Sequence, residues 1–325
     1  MPSPQTRTVY ASVACDIAIA ASKFVAAAFT HSSAMFSEGI HSVVDSLNGV
    51  LLLWGRHASK RRADLQHPFG YGKELYFWTL IVAVMVFAVG GGMSLYDGIA
   101  EIRQGHLAND AGAWNYGVLA ASAVFEAATV VIALKNFRKS ETNQSFWKCI
   151  RASKDPTVFT VLLENIAAIV GLGIAFVGIV LARVLHMPAL DGVASILIGF
   201  LLAAVSVVIA IESKGLLIGE GMDRRTLESI RNLAQADPAV VRAGGPLTMY
   251  FGPRSILLAL DVEFEKGLSA AGVTAAVDRL ESTIRANYPN IQRIFIEAES
   301  LSRAAATGES AQPKAAEQRT STAGA

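Results

Sequence analysis

Two cysteines in 325 residues, Cys15 inside an apolar run and Cys149 in a basic stretch, exclude a disulfide framework and a cysteine metal cluster. Metal chemistry, if there is any, therefore falls to histidine and carboxylates. Charge is scarce as well: 17% of residues are Asp, Glu, Lys or Arg against 52% hydrophobic, and the mean hydropathy is +0.41. That balance is too apolar for an ordinary soluble protein of this length and indicates a membrane protein. The net charge of +1 gives no overall basic field, which argues against nucleic acid as a partner. The first apolar run follows Arg7 and holds Asp16 and Lys23 with no clear cleavage site, so it is read as a retained helix, not a signal peptide.

What the sequence has in quantity is long apolar segments. Six run approximately over Thr8–Thr30, Ser33–Gly55, Leu75–Tyr96, Ala111–Leu134, Pro156–Ala182 and Met187–Ile211. Each meets the roughly 20 helical residues needed to cross about 30 Å of hydrocarbon. Asp16, Lys23, Glu38, His41, Asp45, Glu126, Glu164 and Asp191 lie within them and need internal partners or a wet cavity, because hydrocarbon offers none. Arg56, Lys60, Arg61, Arg62 and Lys73 follow the second segment, and Lys135, Arg138, Lys139, Lys148, Arg151 and Lys154 the fourth, whereas the opposite loops hold Arg103 and Arg183. The positive-inside bias places both termini in the cytoplasm.

After Ile211 the period changes. Asp223 is positioned to cap a helix with Leu227, Ile230 and Leu233 on one face; Leu258, Leu260, Val262 and Phe264 then alternate with polar neighbours. Val273, Val277, Leu280 and Ile284 return to helical spacing before Ile294 and Ile296 alternate again. With a strand in Thr248–Phe251, the order is helix, strand, strand, helix, strand. The expected organisation is a membrane domain over 1–213, a small cytosolic α+β domain over 214–302, which oligomerisation would help to stabilise, and a disordered tail over 303–325.

Three groups of residues suggest chemistry. Glu38, His41 and Asp45 stand at i, i+3 and i+7 on the second segment, within about 60° of one another on one helical stripe. They could receive a metal, or His41 and Asp45 could bond each other or pair with Lys23 to hold helices together. Glu164 and Asn165 on the fifth segment diverge by about 100°, so at most one points squarely at the second helix, and an amide such as Asn165 also serves to bridge membrane helices. Thr157 and Thr160 share the Glu164 stripe. In the loop Asp64-Leu65-Gln66-His67-Pro68-Phe69-Gly70-Tyr71-Gly72-Lys73-Glu74, Asp64 and His67 could converge on a metal, although two ligands make a weak site, or His67 could organise the turn. Asp261, Glu263, Glu265, Glu297 and Glu299 alternate with apolar residues and read as a solvated sheet face.

His41-Ser42-Val43-Val44-Asp45, Asp64-x-x-His67-Pro68-Phe69-Gly70-Tyr71-Gly72-Lys73, Asp155-Pro156 through Leu163-Glu164-Asn165, and Leu190-Asp191-Gly192-Val193-Ala194-Ser195-Ile196 occur in an order that resembles the cation diffusion facilitator family. The wording of the fifth segment is similar to the divergent branch that includes a mitochondrial zinc transporter. The resemblance implies six transmembrane helices with a ferredoxin-like cytosolic domain, a homodimer formed through that domain, and export of divalent metal ions in exchange for protons. It also implies a transport site of two ligands from the second segment and two from the fifth. His41 and Asp45 match the first pair; Val161 and Asn165 stand where His and Asp are usual, with Glu164 beside them.

The expectation is therefore an α-helical membrane antiporter, not an enzyme, needing no cofactor. Its cargo would be a divalent ion, zinc ahead of manganese, iron or cobalt, with protons as counter-ion, and its setting the lipid bilayer of a bacterial inner membrane. The competing expectation is a transport-inactive relative that regulates or scaffolds a partner. A membrane metalloenzyme is disfavoured because no His-Glu-x-x-His pattern occurs in the chain.

Overall fold

The computed structural model describes residues 17–29, 31–104, 154–187 and 189–298, with a few isolated positions between 117 and 127. These fall into two compact units, one up to Gly219 together with 251–253, the other 220–250 and from 254 onward.

The first unit is helical. Helix α1 is the apolar segment Ile17–Phe29. Helix α2, Ser33–Ala58, begins at Ser32, whose hydroxyl accepts from the Met35 amide at 3.2 Å. Helices α3 (Glu74–Met85) and α4 (Gly92–Gln104) are joined through one π-helical turn, Val86–Gly91, into a continuous apolar rod. Helix α5, Pro156–Val184, has Asp155 as its cap and proline at the first position, where a missing N–H costs nothing. Helix α6 spans Ala189–Ile218.

Among the described residues, three helices are long and apolar enough to cross a membrane: Glu74–Arg103, Pro156–Val184 and Ala189–Ile218. The expected fourth segment with Glu126, the Lys135–Arg151 loop and the residues up to Asp16 lie outside the described residues. Two helices outrun their expected limits by about two turns. The third segment continues past Asp97 because Gly98 packs directly on α6, and the sixth continues past Ile211 because Ser213 and Leu216 are buried. Ala34, Met35, Val44, Leu52, Val82, Val86, Ala167, Ala175, Ala194, Ile198 and Leu202 form the apolar interior against which the polar residues are set.

The second unit is a four-stranded sheet with two helices. Helix α7 (Arg224–Gln235) starts at Asp223, which accepts from the Arg225 and Thr226 amides. Strands β1 (Val240–Ala243), β2 (Leu247–Gly252) and β3 (Ser255–Phe264) follow, then helix α8 (Ala270–Asn287) and β4 (Ile291–Ala298). β3 is the hub: β1 pairs with it antiparallel and β4 parallel, the return crossing through α8. Its alternation buries Ile256, Leu258, Leu260 and Val262 against Ile230, Ala234, Leu280 and Ile284. The sequence reading lacked β1. The strand is short, and a register shift between Val240 and Arg242 leaves both central residues exposed, which erases the alternation that marks a strand.

Candidate functional site

Helix α2 turns an unusually polar face inward, burying Ser33, Ser37, Glu38, His41, Ser42, Ser46 and Asn48. Glu38 is drawn into a pair with α1: Lys23 Nζ lies 3.0 Å from Glu38 Oε2 and 2.9 Å from Ser42 Oγ, and both charged side chains are fully buried. An ammonium in an apolar bundle is tolerable only with such a partner. Helix α5 leaves space for the carboxylate with Gly171, where a Cβ would lie 2.5 Å from Glu38 Oε1.

Next along the stripe stand His41 and Asp45, with Nε2 3.4 Å from Oδ2. His41 is buried, whereas 30% of the Asp45 side chain is exposed. Both imidazole nitrogens are buried, and neither makes a hydrogen bond among the described residues. A further turn on, Asn48 Nδ2 donates to Glu164 Oε1 of α5 at 2.7 Å, bridging the two helices. Asn48 Oδ1 and Thr160 Oγ1 are also buried without hydrogen-bond partners among the described residues. His41, Asp45 and Asn48 follow at i, i+4 and i+7, and Thr160 and Glu164 at i, i+4, so each set occupies one face of its helix. The sequence reading missed Asn48. The same spacing rule would have found it had amides been admitted beside acids and imidazole.

Asn165 lies elsewhere. It is partly exposed, and its Nδ2 donates to the Val161 carbonyl at 2.6 Å. Val161 itself is 41% exposed. The two positions expected for the fifth-segment pair thus share an outward face of α5, and Glu164 occupies the inward one. Among the described residues no three His, Cys, Asp or Glu side chains gather closely enough to hold a metal by themselves. The inward set is instead mixed: one imidazole, two carboxylates, an amide and a hydroxyl, split between the His41–Asp45 pair and the Asn48–Glu164 bridge. Together they offer nitrogen and oxygen donors, a set that admits several first-row metals.

The Asp64–Lys73 loop is organised around Asp64. Its Oδ1 accepts from the amides of Gln66 (3.0 Å) and His67 (2.7 Å), and its Oδ2 accepts from Tyr71 OH at 2.6 Å. His67 Nδ1 is 3.5 Å from Asp64 Oδ1, and its ring centroid is 4.2 Å from that of Tyr71. Of the two readings of this loop, turn organisation accounts for these bonds. The Tyr71 hydroxyl above all, then the His67 amide, holds the Asp64 carboxyl below its ordinary 3.8. With a depressed folded value, the contribution is complete above the ordinary value and is lost as pH falls through the depressed one. Hydrogen exchange at the Gln66 and His67 amides should accordingly show the turn intact at the ordinary aspartate midpoint, opening only in stronger acid.

Residues 9–218 match the cation efflux transmembrane domain. The chain belongs to the cation efflux family. Among its relatives, a mitochondrial proton-coupled zinc antiporter of Xenopus laevis is 33% identical over 245 residues, 75% of this chain and 44% of that protein. The human counterpart is 33% identical over 220 residues, 67% of this chain and 39% of that protein. A metal tolerance protein of Arabidopsis thaliana is 27% identical over 270 residues, 79% of this chain and 57% of that protein. The chain therefore spans less than half the length of these zinc antiporters. Cation efflux proteins of this kind are transporters and not enzymes, in agreement with the reading of the sequence.

Proposed function

We propose that the protein is a proton-coupled exporter of divalent metal cations, favouring zinc over manganese, iron or cobalt. The observation that carries the reading is the inward α2–α5 constellation. His41 is held with unsatisfied ring nitrogens next to Asp45, and Asn48 bridges to a buried Glu164 on the facing helix. Buried ionisable groups in a membrane bundle mark an ion path. Metal and protons compete for the same imidazole and carboxylates, so a site exposed alternately to the two sides would exchange one for the other. The zinc preference draws on the names of the relatives and on the nitrogen ligand. The wider setting we propose is a six-span domain in a bacterial inner membrane with both termini cytoplasmic, a cytosolic α+β domain of ferredoxin-like type pairing two copies, and the 303–325 tail beyond it.

Flux into liposomes of the purified protein against a panel of metals, with an internal pH dye, tests the reading. Metal-dependent proton movement is the expected result; neither metal nor proton movement with any metal would favour a transport-inactive relative. The same assay separates Glu164 from Asn165. Glu164→Gln removes an inward carboxyl group and should lower flux by about ten- to a hundredfold, the scale of a lost ligand or its support. Asn165→Ala, whose amide bonds its own helix, should stay within about twofold of wild type, as expected for a partly exposed site outside the path. The reverse order would put Asn165 in the site.

A further inference from the structure

Helix α2 carries the proposed transport residues, and its first turn is held by a carboxylate from a different helix. Asp191, in the first turn of α6, is 4% exposed and accepts from Ser32 Oγ at 3.0 Å, Ser33 Oγ at 3.4 Å and the Ala34 amide at 3.3 Å. These are the cap and the first two residues of α2. Asp191 thus satisfies an N–H that the helix leaves open at its start, and sets a negative charge at the positive end of its dipole. One turn further on, the hydroxyls of Ser37 and Ser195 bond each other, and Ser195 Oγ also bonds the Ser94 carbonyl at 2.9 Å. Ser33, Ser37, His41 and Asp45 succeed one another in steps of four. The α2 face that meets α6 at Ser33 and Ser37 thus continues, one and two turns on, to the His41–Asp45 pair.

The other side of α6 is held quite differently. A Cβ on Gly98 of α4 would lie 2.6 Å from the Gly192 carbonyl oxygen, and one on Gly192 would lie 2.7 Å from that of Gly98. Gly199 and Gly91 repeat the arrangement at 3.0 and 3.2 Å. Backbone packed on backbone at two levels makes α4 and α6 one body. The α2 contact shares the apolar interior, but at the start of the helix it is made through hydrogen bonds to Asp191, which a single proton can weaken.

We propose that Asp191 is a positioning residue of the transport helix: its ionised carboxylate docks the start of α2 on the α4–α6 body, and uptake of one proton by Asp191 releases it. This deepens the proposed export function and rests on it for its purpose, though the docking itself is independent. Helix α4 brings Asp97 into electrostatic range of Asp191, and Asp97 in turn has Glu101 beside it. The first turn of α2 is Ser-Ala-Met-Phe with no charged side chain, exposed His31 precedes its cap, and α5 contributes Gly178 beside Leu190 and Ala194. A neutral carboxyl accepts more weakly than a carboxylate, roughly by half, so protonation loosens all three bonds together.

Hydrogen exchange of the full chain in lipid nanodiscs, followed over residues 32–38 and corrected for intrinsic rates, tests the proposal. Wild-type protection should fall about tenfold from neutral to mildly acid pH, while in Asp191→Asn it should be low at both and protection of α5 unchanged. Equal protection in Asp191→Asn and wild type, or wild-type protection independent of pH, overturns the proposal. Should Asp191→Asn lose protection throughout the bundle, Ser33→Ala decides: it keeps the carboxylate and removes one donor, so a partial loss confined to α2 that still deepens in acid is expected, and behaviour identical to wild type overturns the docking role. Parallel flux measurements keep the two readings apart. Loss of protection in a chain whose wild type moves no metal would leave the docking standing and remove the export reading; flux with unaltered protection would do the opposite.

Discussion

His41→Ala is expected to reduce metal flux by at least about a hundredfold while leaving the protein folded in the membrane, since loss of a ligand or its immediate support is felt on that scale. Its ring is buried, both nitrogens are without hydrogen-bond partners among the described residues, and the nearest charged group is Asp45 at 3.4 Å. A buried imidazole held this way gains nothing from hydrogen bonding that alanine would forfeit, and both nitrogens remain open to an ion under the proposed function. Asp45→Ala should have a similar effect because it removes an oxygen donor and the charge offsetting a divalent cation. His41→Ala should also flatten the dependence of any residual flux on pH, because imidazole is the group most suited to exchange a proton for metal near neutrality. Liposome flux measured across a pH series decides the matter. Wild-type flux in the double variant would remove both residues from the path.

Lys23→Ala should be the most destabilising single change in the helical unit, at about 3–5 kcal/mol, the usual cost of stripping one partner from a buried ion pair. Lys23 and Glu38 are both fully buried, 3.0 Å apart, and the lysine also holds Ser42. Removing the ammonium takes the ion-pair partner from a fully buried carboxylate that faces Gly171. The double change Lys23→Met with Glu38→Gln should recover a large part of the loss, because it removes both charges and leaves groups of similar volume. Thermal unfolding of the purified variants in detergent measures this. A Lys23→Ala protein as stable as wild type would show that the pair contributes no net stability.

Much of this was legible in the sequence, but unevenly. The 3.6 period of α2 put Glu38, His41 and Asp45 on one face, and the structure keeps them there. It does not keep them equivalent. Spacing places a side chain on a stripe, whereas its partner comes from other helices, and only the bundle brings Lys23 to within 3.0 Å of Glu38. Glu164 and Asn165 show the same limit. Adjacent residues lie about 100° apart, and which one faces inward depends on the roll of the helix, which a uniformly apolar segment hardly encodes. The roll of α5 turns Val161 and Asn165 outward together. In the second unit, β3 could be read because burial alternates along it, whereas β1 could not because its bulge breaks the alternation.

The π-helical turn Val86–Gly91 bears on how this chain tolerates length changes. A π turn takes up about one residue more than an α turn and so rotates everything after it by about 100° relative to what came before. Without that extra residue, a continuous α-helix from Glu74 would bring Asp97, not Gly98, to the point where α4 meets the Gly192 backbone. The widened turn thus acts as a spacer in the reading of the chain: it lets Leu75, Thr79 and Val82 face their own neighbours while still delivering glycine to α6. A deletion of one residue from Val86–Gly91 would close the π turn into an α turn and still deliver Gly98 to α6, whereas one residue inserted there with the π turn kept would put the Asp97 carboxylate where only a hydrogen fits.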